Sequence, residues 1–120
     1  MRKVMLVVVA VLAAGSAQAA EQGQYGAALR LIVTQAAEGR CPAEVMAEPL
    51  LSACRDQMPA MKPALAAQGT VERVSFVRAE QEGDARVETY AVNYAGGRAM
   101  IWSIGNRKDG KFTTAYTLGD

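Results

Sequence analysis

The stretch Val87-ETYAVNYAGGRAMIWSIGNRKDGKFTTAYT-Leu118 decides the fold. β-Branched and aromatic residues alternate with polar ones from Val87 to Ala95, from Arg98 to Gly105 and from Lys111 to Leu118. That is the two-residue period of strands with one face on a core. Gly96-Gly97 separates the first two runs and Asp109-Gly110 the last two, and both pairs suit the positive φ of tight hairpins. Upstream, Val71 to Ala79 alternates in the same way, and Glu82-Gly83-Asp84 punctuates the connection that follows. Connections this short require antiparallel neighbours, so the spacing predicts a four-stranded meander.

Before Gly69 the apolar period lengthens to that of a helix. Tyr25, Leu29, Ile32, Val33 and Ala36 form one stripe, and Gly39 ends it. Pro42 suits a first helical turn, and Val45, Met46, Leu50, Leu51 and Cys54 continue an apolar stripe that Pro49 interrupts. Two short helices are expected there rather than one long one. Pro59 and Pro63 bracket a further turn in which Met61, Leu65 and Ala66 supply a small buried face. The class is α+β: N-terminal helices over 22–69, packed on one face of an antiparallel β-meander over 70–118.

The N-terminus reads as an export signal. Arg2 and Lys3 precede an apolar run from Val4 to Ala14, and Ala17-Gln18-Ala19 offers small residues where a signal peptidase cuts. About eleven apolar residues fall short of the roughly twenty a spanning helix needs, so a leader over 1–19 and one domain over 20–120 are expected. Removing 19 of the 120 residues leaves 101, enough for one modest core. Arg2 and Lys3 leave with the leader, which takes 13 basic residues to 11 against 12 acidic ones, a formal charge of −1. Such a charge gives no electrostatic footprint for nucleic acid or an anionic membrane. A periplasmic or secreted product without a stable membrane anchor is the expectation.

Export also bears on the two cysteines. Cys41 and Cys54 are an even pair bound for an oxidising compartment, so a disulfide is expected. Twelve intervening residues are not the Cys-x-x-Cys of an oxidoreductase, and with no histidine in the chain a zinc site would need carboxylates for its remaining ligands.

A two-residue loop at Gly96-Gly97 would set the register. Tyr94 would lie opposite Ala99, Val92 opposite Ile101 and Tyr90 opposite Ser103. One face then carries Tyr90, Val92, Tyr94, Ile101, Phe112, Tyr116 and Leu118, and is expected under the helices. The other carries Val87, Ala91, Met100, Trp102, Ile104 and Ala115 among Thr89, Asn93, Thr113 and Thr117. That composition suits an interface core, which makes Met100, Trp102, Ile104, Val87 and Ala91 a candidate interaction surface for a protein partner, a second copy or a small apolar ligand. The competing reading places a helix over that face.

Chemistry is sparsely signalled. Without histidine, Ser52, Ser75 and Ser103 lack the commonest base and sit in no nucleophile motif. Glu80, Glu82 and Asp84 cluster at a hairpin tip without the glycine and distant glutamate of a calcium loop, and Glu44 and Glu48 share a helix face. Arg107, Lys108 and Lys111 form a basic tip of the kind that serves solubility. No catalytic residue, metal ligand or cofactor is assigned.

Leu65 to Gly69, Val74-x-Phe76, Tyr90-x-Val92-x-Tyr94, Gly96-Gly97, Trp102-x-Ile104 and Asp109-Gly110-Lys111, spread over Ala43 to Leu118, resemble small exported cystatin-like (NTF2-like) domains of bacterial envelope proteins. The resemblance implies a curved antiparallel sheet around helices, often dimeric or serving as a binding accessory. Enzymes of that fold, the ketosteroid isomerases and polyketide cyclases, set an acid and a hydrogen-bond donor in a cone-shaped pocket, but none of their catalytic residues maps onto this chain. The favoured function is a non-enzymatic binding or protein-interaction domain. The alternatives are a small cyclase- or isomerase-like enzyme with Tyr90 or Tyr94 as donor in a pocket between helices and sheet, and an envelope inhibitor or immunity protein.

Overall fold

The computed structural model describes residues 23–119, so the expected leader over 1–19 lies outside the described residues. Two helices, α1 (Gly26–Ala37) and α2 (Leu50–Ala66), precede strands β1 (Val71–Glu82), β2 (Ala85–Tyr94), β3 (Ala99–Lys108) and β4 (Lys111–Gly119). The strands form one antiparallel sheet in the order β1-β2-β3-β4, the expected meander. α1 buries the predicted stripe of Leu29, Ile32, Val33 and Ala36, and the chain turns at Gly39, whose N–H donates to the Ala36 carbonyl.

The second helix differs from the sequence reading. A turn follows Pro42, and α2 then runs 17 residues through both Pro59 and Pro63. An interior proline removes one helical hydrogen bond and ordinarily costs about 3 kcal/mol. Here the prolines are four residues apart on the solvent side, where water can take the carbonyls they leave unbonded. Buried Leu50, Cys54 and Leu65 hold the opposite face on the core. Cys54 is disulfide-bonded to Cys41, with Cα atoms 6.1 Å apart, so the connector after α1 is tied to the first turns of α2.

The register of β2 with β3 is one residue away from the expected one. Tyr94 pairs with Arg98 through its N–H to the Arg98 carbonyl, and Ala95-Gly96-Gly97 forms a three-residue loop with Gly97 at φ +95°. A turn closed by a left-handed residue is the ordinary three-residue hairpin. Tertiary bonds select it: the Ala95 N–H donates to Thr70 and the Gly96 N–H to Gln68, both in the connection from α2 to β1. Tyr90 therefore lies opposite Trp102, Val92 opposite Met100 and Ala91 opposite Ile101.

A one-residue slip turns every side chain of a strand to the other face. Met100, Trp102 and Ile104 thus join Tyr90, Val92 and Tyr94 beneath the helices, and Ile104 and Val92 are completely buried. β1, whose register the sequence leaves open, adds Val74 opposite Val92 and Phe76 opposite Tyr90. Ile101 moves outward, and Tyr116 and Leu118, expected in the core, are 43% and 56% exposed. Phe112 is buried as expected. It meets the Tyr25 ring edge-on at 4.8 Å, next to a left-handed Asn106 (φ 57°) that interrupts the alternation near the end of β3.

Gly97→Ala should destabilise the domain by about 1–2 kcal/mol, because left-handed backbone crowds a Cβ, and Gly97→Asn by less. Urea midpoints at unchanged m-value check this. Reducing the Cys41–Cys54 bond should remove about 3 kcal/mol, read as a lower Tm once intact mass shows the gain of two hydrogens.

Candidate functional site

The space between the helices and the β3–β4 half of the sheet is not filled. A cavity of about 510 Å³ opens there. α1 presents Ile32, Val33 and Ala36 to it, and the sheet contributes Met100, Trp102 and Ala115. α2 forms the wall facing β4 with Ala53, Gln57, Ala60 and Ala64, at intervals of four, three and four residues along one helical face. Small side chains on that face leave α2 and β4 apart, and Gln57, Ala60, Ala64, Tyr116 and Thr117 are exposed around the opening. Among the described residues no charged side chain lines the cavity.

Trp102 forms part of the floor and is 6% exposed. Its Nε1 and the buried Tyr94 Oη have no partner at hydrogen-bonding geometry among the described residues. Burial raises the Tyr94 phenol above its ordinary range, and the neighbouring Trp102 indole N–H offsets part of that.

A second polar cluster stands at the N-terminal end of α1. The Glu88 side chain is fully buried on the helix-covered face of β2. Its Oε1 accepts from the Tyr25 N–H at 2.9 Å, the Gln24 N–H at 2.9 Å and the Tyr90 hydroxyl at 2.5 Å. Its Oε2 accepts from Arg86 Nε at 2.7 Å. The helix has no cap from its own flanking side chain, so a carboxylate from the sheet takes that role. Gly23 lies close by at φ +86°, where a Cβ would stand 2.5 Å from the Tyr90 hydroxyl.

Burial alone would raise the Glu88 carboxyl. Hydrogen bonds from Tyr90, Gln24, Arg86 and Tyr25 outweigh it and hold the group below the usual carboxylate range. The Tyr90 phenol is pushed well up, first by burial and then by the carboxylate it bonds. Both groups are engaged with each other and with the helix end, and neither lines the cavity.

The two hairpin tips, read from sequence as separate acidic and basic clusters, are neighbours. Glu82, Asp84, Arg86, Arg107 and Lys108 surround one polar hollow, and the Arg107 guanidinium lies 5.1 Å above the Tyr25 ring centre.

The candidate interaction surface is divided between the two faces. Met100, Trp102 and Ile104 point toward the helices, whereas Val87 and Ala91 lie on the other side of the sheet. Val87 is buried and Ala91 half-buried there, next to a buried Thr89 Oγ1–Ser103 Oγ hydrogen bond of 3.0 Å. Across that face Arg78, Thr89, Ser103 and Tyr116 are successive cross-strand partners, with the two small residues between the two long ones. A loop one residue longer than expected is the reason for the division.

Sequence reasoning overlooked Glu88 and the alanine face of α2. The signal for the first was a carboxylate at the same strand parity as Tyr90, Val92 and Tyr94. The signal for the second was alanine recurring at helical spacing across a segment read as broken by proline. No family model, no curated protein and no solved structure matches this chain.

Glu88→Gln should cost about 2 kcal/mol near neutral pH, through loss of charge-assisted bonds to the helix end and Arg86. Because folding lowers the Glu88 pKa, this contribution is fully present above the unfolded value of about 4.3 and disappears as pH falls through the folded one. Urea midpoints of the two proteins from pH 7 to pH 2.5 should therefore converge in acid.

Proposed function

We propose that this is an exported, non-enzymatic binding domain that takes an uncharged apolar ligand in the cavity between α2 and the β3–β4 half of the sheet. The observation that carries this reading is the lining itself: about 510 Å³ of space with no charged side chain among the described residues of its walls. Ligand sites have this size and this mainly apolar wall. The Cys41–Cys54 disulfide fits an oxidising compartment, and no helix among the described residues is long and apolar enough to cross a membrane.

Catalysis of the isomerase or cyclase kind would need a carboxylate facing the bound molecule. The buried carboxylate, Glu88, instead caps α1 outside the cavity lining. Retention of an apolar molecule asks for no such group.

The only tryptophan of the chain reports directly on the cavity floor. Titration with the uncharged fluorophore N-phenyl-1-naphthylamine should enhance the dye's emission and quench Trp102 by energy transfer. Ala53→Phe and Ala60→Phe, which fill the space from the α2 wall, should weaken binding about tenfold or more, equal to about 1.4 kcal/mol. Unchanged affinity in both variants at unchanged Tm rules the cavity out as the site.

A further inference from the structure

Polarity is distributed unevenly over the cavity. Ile32, Val33, Leu50, Leu65 and Trp102 make its depth and are buried, and the Trp102 Nε1 lies beside the Tyr94 phenol rather than on the open surface. Uncharged polar side chains stand at the opening instead. They are Gln57 on α2 and, on the β4 side, Thr117, whose hydroxyl donates to the Ile101 carbonyl at 3.0 Å. A polar group carried to the depth would lose its water among apolar walls, whereas at the opening it stays hydrated and reaches an amide.

The charges near the opening narrow the head group further. Arg55 and Lys62 are the cations of α2, and helical spacing places both about half a turn from the face of Ala53, Ala60 and Ala64. Lys62 lies against Gly39 instead, where a Cβ would stand 3.2 Å from its Cδ. β4 has no charged residue from Phe112 to Gly119. An anionic head would therefore find no counter-ion on either wall, and Asp56, which borders the alanine face, would repel it. A cationic head would gain from the exposed Asp56 only the small, screened attraction of a surface pair.

The walls suit a flexible chain better than a flat ring. Ala53 and Ala64 stand eleven residues apart on α2, about 16 Å along the helix axis, so the space is elongated along that helix. Met46, Met61 and Met100 face it with unbranched side chains that adjust to a bending occupant. We infer that the occupant is a single-chain amphiphile with an uncharged head, its aliphatic chain lying between α2 and the sheet and its head hydrogen-bonded at the opening to the Gln57 amide. This rests on the cavity being a binding site, and it names the ligand class.

The test uses the exported domain with its disulfide intact, labelled with ¹⁵N. The probes are glycerol monodecanoate, glycerol monooctanoate, decanoate and decyltrimethylammonium, each below its critical micelle concentration and each competing with N-phenyl-1-naphthylamine. Glycerol monodecanoate should displace the dye and shift the side-chain amide resonances of Gln57, assigned by their loss in Gln57→Leu. The octanoyl ester, two methylenes shorter, should bind roughly tenfold more weakly. Decanoate and the ammonium should each bind at least about tenfold more weakly than the decanoyl ester, because their charges would be partly desolvated. Gln57→Leu should weaken the decanoyl ester about fivefold relative to the dye, the worth of roughly one hydrogen bond. Dye binding that no amphiphile displaces, equal displacement by charged and uncharged heads, or ester binding indifferent to Gln57→Leu overturns the inference and leaves the cavity a site for small apolar molecules. Failure of the dye and of every amphiphile to bind overturns the cavity reading as well.

Discussion

One backbone constraint governs the arrangement of the sheet: the three-residue loop between β2 and β3. Its length places Met100, Trp102 and Ile104 on the helix side, and a loop one residue shorter would send them to the opposite face. Gly97 supplies the left-handed residue that the loop needs, and the Ala95 and Gly96 N–H groups reach the connection from α2 to β1. The end of the helical half therefore holds the turn that orients the β half. Core composition, cavity floor and exposed tyrosine all follow from that contact.

Glu88 joins the two halves at the opposite end of α1. A buried carboxylate is costly unless fully bonded, and here two backbone N–H groups, a phenol and a guanidinium satisfy it. The arrangement also provides the helix N-terminus with the negative charge its dipole favours. With Tyr25 packed against Phe112 and Arg107 stacked on Tyr25, this end of the helix is fixed to β2, β3 and β4 together. The Cys41–Cys54 bond does the corresponding work for α2, holding its first turns to the connector that borders β4.

Between these anchors α2 spans the sheet without closing on it. Ala53, Ala60 and Ala64 are too short to reach β4, and Ala115 and Thr117 are too short to reach back, so the space remains. Filling it with larger side chains would add apolar burial, and that unrealised stabilisation is what makes the cavity a functional candidate.

The sequence by itself determined the α+β class, the order of elements, the meander, the α1 stripe and the cysteine pair, because period, turn residues and cysteine count are local signals. It also showed which β2 residues alternate, since Tyr90, Val92 and Tyr94 share parity whatever lies beside them. It could not decide the partner register of β3. Gly96-Gly97 is compatible with a two- or a three-residue loop, and the choice came from Thr70 and Gln68, more than twenty residues upstream. The persistence of α2 through Pro59 and Pro63 was likewise tertiary, since burial of Cys54 and Leu65 and the disulfide outweigh the lost helical bonds. Glu88 reads as one more polar residue in a strand until α1 is brought to it. Local periodicity specifies which faces each element has, and only the packing of distant segments decides which face meets which.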